Sequence, residues 1–303
     1  MKKASIGSSL LLFLAACIWG FAFVAQSVGM DYVGPYTFNG ARFLIGAVVL
    51  LPLVFARIQK KKNTREAVPP VLTIKGGICC GLAICAASLF QQIGIQYTTV
   101  GKAGFITTLY IIIVPVLGLY LRKRVPGKVW IAAVIAAIGM YLLCMTEGFS
   151  IGKGDALVFV CAILFSIHIL VIDYFSPKTD GVALSCIQFF TAGIICTVGA
   201  LILEKPTWEQ LVAGALPILY AGVMSCGIAY TLQIIGQKDL DPTIASLILS
   251  MESVVSVLAG WLLLGQALAV KELVGCALVF AAVILVQLPE KRKIVDQKHS
   301  TKM

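Results

Sequence analysis

An acidic residue set inside an apolar run is the first place to look for chemistry in this chain. Ala245 to Gly265 reads ASLILSMESVVSVLAGWLLLG, with one carboxylate, Glu252, near its middle. A helix rises about 1.5 Å per residue, so roughly 20 apolar residues cross a hydrocarbon core about 30 Å thick. A carboxylate at that depth is costly and faces either a cavity or a partner. Glu252 is therefore the leading candidate for proton coupling, set against a purely structural acid that bridges neighbouring helices. His168 lies inside another apolar run, where it could titrate, hydrogen-bond a solute, or act only as a neutral interhelical bond. Asp173, near the end of the same run, reads as a gate or as a solvated helix end.

Uncharged hydrogen-bonding groups recur beside aromatic ones. Trp19, Phe23 and Gln26 share one run; Gln91 and Gln92 lie in a second, Thr107 and Tyr110 in a third, Tyr230 and Gln233 in a fourth, and Ser253 follows Glu252. The mixture suits an amphipathic or aromatic small molecule, although any one of these positions also fits ordinary helix packing. Arg42 could hold an anionic solute, snorkel outward or pair with a helix carbonyl. No charged pair that would clamp a carboxylate and an amine is apparent. HExxH and paired acids at helical spacing are absent, as is the phosphate-cradling GxxxxGK[ST] loop. An intramembrane enzyme and a nucleotide-driven pump are thereby set aside, and no cofactor or metal is implied.

These residues must be positioned by membrane-crossing helices. The chain is 59% hydrophobic and 13% charged, against about 25% charged in soluble domains. Ten apolar segments stand out, near 8–28, 35–56, 72–95, 101–121, 128–146, 154–175, 183–203, 212–236, 243–264 and 270–289. The net charge of +10 is carried by short loops and tails rather than by a basic face, so nucleic acid is not a partner. All ten cysteines fall inside apolar runs without a CxxC pair and read as packing residues. The Leu14-Ala15-Ala16-Cys17 stretch resembles a lipoprotein cleavage box, but the apolar run continues through Ala25, which favours an uncleaved first span. Gly77 to Gly81 fits a small-xxx-small packing motif, more simply within one chain than between two. Pro115 and Pro217 mark kinks or hinges within their spans.

Placing the N-terminus inside puts 19 Lys and Arg on the cytoplasmic side and 4 on the other, with Arg42 inside a span. That split predicts an even number of spans and both termini in the cytoplasm. Shifting the chain against itself by 143 residues sets Leu121 on Leu264, Ala132 on Gly275 and Gly139 on Ala282. Each half then holds five spans. Because five is odd, the halves enter the membrane from opposite sides and form inverted repeats, with a substrate site expected near the midplane. The expected units are residues 1–147, 148–290 and a basic tail, 291–303.

Trp19-Gly20, Pro35 with Arg42-Phe43, Lys102-Ala103-Gly104-Phe105 through Val114-Pro115-Val116, and Leu247 to Glu252 followed by Leu262-Leu263-Leu264-Gly265 resemble the EamA-domain transporters of the drug/metabolite transporter superfamily. The resemblance covers about 8–289 as two consecutive EamA-like halves. It implies an all-α integral membrane protein of ten transmembrane helices in two inverted five-helix repeats. Such a protein carries small organic metabolites such as amino acids by alternating access, export being the favoured direction and proton coupling an option. A multidrug or lipid-linked carrier with a laterally open cavity is the alternative. The implied cavity is lined by spans 1, 3, 4, 6, 8 and 9, which leaves Arg42 in a peripheral span with a structural role. The bilayer and a small-molecule substrate are the implied partners, the state monomer or homodimer, and the location the bacterial inner membrane. The family's Glu-Pro is Glu252-Ser253 here, which predicts the loss of a kink, and its Gly-Glu is Gly265-Gln266.

Overall fold

The computed structural model describes residues 6–64, 70–98, 100–122, 125–144, 152–264 and 270–288, and these are helical throughout apart from their connections. The basic tail and Gln266 lie outside them. In chain order the helices are α1 (Ile6–Gly29), α2 (Pro35–Thr64), α3 (Pro70–Ile95), α4 (Val100–Thr108), α5 (Tyr110–Tyr120), α6 (Gly127–Cys144), α7 (Lys153–Phe175) and α8 (Gly181–Leu203). The short α9 (Trp208–Ala213) and α10 (Ala215–Leu219) lead into a π-helical segment, Tyr220–Tyr230, and then α11 (Thr231–Gln237), α12 (Pro242–Leu249), α13 (Met251–Leu264) and α14 (Val270–Gln287).

Several starts are written locally. Proline opens α2, α3 and α12, where its missing N–H costs nothing. Asp180 accepts from the Val182 and Ala183 amides at the head of α8, and Asp241 from the Thr243 amide at the head of α12. Among the described residues, eight helical stretches are long and apolar enough to cross a membrane, and Gly127–Gly139 and Leu273–Val286 add two shorter apolar helices. Together they form the ten spans, with α4 and α5 as the two parts of the fourth and α12 and α13 as the two parts of the ninth.

The packing follows the inverted repeat. The second span meets its counterpart in α2 against α8, and the fifth meets the tenth in α6 against α14. The contact of α3 with α7 is answered by that of α1 with the π-helical segment and α11, both running between the halves. Gly77 and Gly81 allow α3 to close on α8 within the chain: a Cβ on Gly77 would meet Ile187 Cβ at 2.5 Å, and one on Gly81 the Gln188 carbonyl at 2.8 Å. The outward surface carries Val48, Leu53, Leu201 and Ile202, while Arg42, Gln92, His168, Gln188 and Glu252 are buried. Polar groups face inward and apolar ones outward, as a lipid solvent requires. Leu12, Ala15 and Ala16 of α1 are fully buried, so the first span is part of the core.

The interruptions of the fourth and ninth spans do not fall at prolines. Pro115 lies within the continuous α5, and the interruption of that span falls earlier, at Leu109. The ninth span breaks at Ser250 without any proline. Here the Ser246, Ser250, Ser253 and Ser256 hydroxyls each donate to the carbonyl three residues back, at 2.7 to 2.9 Å. Such bonds compete with the helical ladder and bend it. Thr108 does the same at the other interruption, donating to the Gly104 and Phe105 carbonyls. Pro217 stands just ahead of the π-helical segment, consistent with a disturbed ladder there.

Candidate functional site

A cavity of about 40 Å³ lies between the two halves. Of the residues singled out in the sequence, Trp19, Phe23, Gln26, Gln91, Thr107, Tyr110, His168, Tyr230, Gln233 and Glu252 line it. Gln92 and Ser253 do not: Gln92 donates to the Gln26 carbonyl at 3.0 Å, and Ser253 is engaged in the serine ladder. Arg42, Phe165, Ile169, Ser225 and Leu249 complete the wall. The volume suits a few water molecules rather than a metabolite, so the site is nearly closed in this conformation.

Glu252 stands in the first turn of α13, directly after the break at Ser250. The start of a half-helix presents unpaired N–H groups and the positive end of its dipole, which suits a carboxylate. The Tyr110 hydroxyl donates to Glu252 Oε1 at 2.9 Å. Tyr110 is the first residue after the other break, at Leu109. The bond spans 142 residues, within one of the 143-residue repeat shift. Near-equivalent positions of the two halves therefore meet, each at the interruption of its own span. Interrupted spans at matching places are where inverted-repeat carriers place their sites.

The close approach of α1 to this point depends on glycine. A Cβ on Gly20 would fall 2.5 Å from Val255 Cβ. Its neighbour Trp19 packs on Tyr230 with ring centroids 4.5 Å apart, and His168 meets the same tyrosine edge-on at 6.1 Å. His168 Nε2 bonds Gln188 Oε1 at 3.1 Å, and Gln91 Nε2 donates to Thr107 Oγ1 at 3.2 Å. Trp19 Nε1, Gln26 Oε1, His168 Nδ1 and Gln233 Oε1 are buried without hydrogen-bond partners. Each such group costs free energy on the order of 1–3 kcal/mol. Their concentration in one cavity marks it as a place for a polar guest. Asp173 is not part of this wall.

Arg42 overturns the sequence expectation. Its span is not peripheral: α2 packs on α8 and on the π-helical segment, and Arg42 faces the cavity at 2% exposure. Rather than snorkelling outward, its guanidinium lies over the Phe43 ring at 4.9 Å and near Phe38 at 5.6 Å. The helical periodicity of an all-apolar span does not show which face turns inward. The type and depth of the residue were the only signal available.

Fold and cavity together define a multi-pass membrane protein built from inverted repeats, with a polar chamber between the halves. The family model of the EamA-like transporter family matches residues 7–145 and 152–288, and the chain belongs to that family, in the drug/metabolite transporter superfamily. It is thus a membrane transporter and not an enzyme. Similar proteins include an uncharacterized transporter of Archaeoglobus fulgidus, 29% identical, with 91% of this chain and 84% of the relative covered. The uncharacterized inner membrane transporter YedA of Escherichia coli (strain K12) is 23% identical, with 91% and 89% covered. A solved crystal structure with 18% identity superposes with a TM-score of 0.75 over 92% of this chain and 96% of that one. That likeness concerns the fold.

Proposed function

We propose that this protein is a secondary transporter of small organic metabolites, such as amino acids, working by alternating access and coupled to protons through Glu252. The observation that carries the reading is the Tyr110–Glu252 hydrogen bond at the two span interruptions, inside the cavity between the halves. A rocking of residues 1–147 against 148–290 would open that point to either side in turn. Trp19, Phe23, Gln26, Gln91, Thr107, Tyr110, Tyr230 and Gln233 form the solute-facing wall, with His168 as the second proton-coupling candidate. Gln92 and Ser253 hold backbone from behind. The 19 to 4 division of positive charge supports both termini in the cytoplasm and the inner membrane as the location. No nucleic acid is involved, and the monomer or a homodimer is the working state.

The test is solute flux in proteoliposomes, with amino acids, nucleosides and amphipathic cations offered from either side, with and without a pH gradient. Export is scored by counterflow from preloaded vesicles. Gradient-accelerated flux in the parent protein that becomes gradient-independent in Glu252→Gln is the expected result. Undiminished gradient-driven flux in that variant would remove Glu252 from the coupling step.

A second reading rests on a different feature. An apolar side groove of about 360 Å³ lies between α5 and α7, lined by residues such as Leu117, Leu121, Leu170 and Phe175. It suits a multidrug or lipid-linked substrate entering sideways from the bilayer. Movement of labelled lipid between leaflets, with no flux of water-soluble compounds, would favour it.

A further inference from the structure

A guanidinium buried in a membrane protein needs its charge answered. Among the described residues Arg42 makes no ion pair within 4.0 Å; the salt bridge found there joins the half-exposed Arg57 to Asp180. Glu252 lines the same cavity, but its bond is to Tyr110, not to Arg42. The Nε and Nη2 atoms of Arg42 are buried without partners. These two donors form one edge of the guanidinium plane, the side-on fork that takes both oxygens of a carboxylate. The guanidinium carbon meanwhile sits 4.9 Å from the centre of the Phe43 ring, itself stacked on Phe189 at 5.9 Å. The guanidinium is therefore held in place by aromatic packing before any ligand arrives.

We infer that Arg42 is the carboxylate subsite of the central cavity, so that the transported solute carries a carboxylate that docks side-on on Nε and Nη2. The inference rests on the transporter reading and narrows its substrate class. A solute amine, where present, turns toward Glu252 and Tyr110, which line the same cavity. With a cavity of about 40 Å³ the fork is closed over, so docking belongs to a wider state of the same chamber. The interruptions at Leu109 and Ser250 are the places where the walls can part. Phosphate esters would also satisfy a guanidinium, but their extra charge finds no second unpaired cation among the described lining residues.

The test uses the full chain in proteoliposomes and three probe pools: amino acids with simple monocarboxylates, the corresponding primary amides, and the corresponding amines. The parent protein is expected to take up the carboxylate pool at least tenfold faster than the amide pool. Arg42→Gln should bring that ratio to about one, and Arg42→Lys, which keeps the charge but loses the fork, should raise KM on the order of tenfold with a smaller change in kcat. A ratio taken within one variant does not depend on how much of it is folded, so a merely structural arginine would leave it unchanged. If neither variant folds, the parent's own ratio decides. Preference for amides or amines in the parent, or an unchanged ratio in Arg42→Gln, overturns the subsite while leaving the transporter standing. Absence of flux for every pool overturns both.

Discussion

At the residue scale, the Tyr110–Glu252 pair carries the largest consequences. A hydrogen bond contributes about 0.5–3 kcal/mol, the upper part of that range when one partner is charged, and this one also bridges the two halves of the molecule. Tyr110→Phe removes the donor and leaves the ring packing. It is expected to lower thermal stability by an amount in that range and to reduce gradient-driven flux about tenfold, measured in detergent melts and vesicles respectively. Glu252 was visible in the sequence because an acid in hydrocarbon is anomalous whichever way it faces. Its partner was not, because tyrosine is ordinary in an apolar span and only the fold brings the two together. Gln92 shows the same limit from the other side: beside Gln91 in the chain, it points away from the cavity and donates to α1.

At the element scale, two devices deserve direct tests. The breaks of the fourth and ninth spans coincide with hydroxyls bonding back to the chain and not with proline. Replacing Ser250 and Ser253 together by Ala removes those competing bonds. The expected outcome is a straighter ninth span, unchanged or slightly raised melting temperature, and several-fold slower turnover with KM less affected. The second device is a cap reaching across the repeat. Glu204, at the end of α8, accepts from the Tyr36 and Thr37 amides at 2.8 and 2.7 Å and from the Thr37 hydroxyl at 2.6 Å. It thereby holds the start of α2. Gly34 makes room for it, since a Cβ there would fall 2.3 Å from the Glu204 carboxyl carbon. At the opposite ends of the same helices, Arg57 of α2 reaches Asp180, the cap of α8, at 3.6 Å. Each helix is thus held at its start by a residue linked to the finish of the other. Glu204→Gln should cost about 1–2 kcal/mol in thermal unfolding, whereas Arg57→Ala, half exposed, should cost less than about 1 kcal/mol.

At the scale of the whole molecule, the odd number of spans in each half makes the repeats inverted, and the packing of α2 on α8 and of α6 on α14 brings equivalent helices face to face. Topology is open to a labelling test. A cysteine placed at Gln59, with the exposed Cys79 replaced, should react with a membrane-permeable maleimide in intact cells and resist an impermeable one. Ready reaction with the impermeable reagent would reverse the assigned orientation. The membrane class, the ten spans, the repeat and the acid at membrane depth were all determined by the sequence alone. Each follows from one-dimensional quantities: how long an apolar run is, where charge interrupts it, and how that pattern recurs. What only the tertiary structure decided is which way each helix turns. In spans apolar on every side, no polar face marks the interior. Arg42 could therefore be recognised as costly but not placed in the cavity, and Glu204 could not be matched to an amide 168 residues away. Both are settled by the packing of helices against one another: α2 on α8 and the π-helical segment turns Arg42 to the cavity, and Glu204 gives the start of α2 the partner that its amides would otherwise lack.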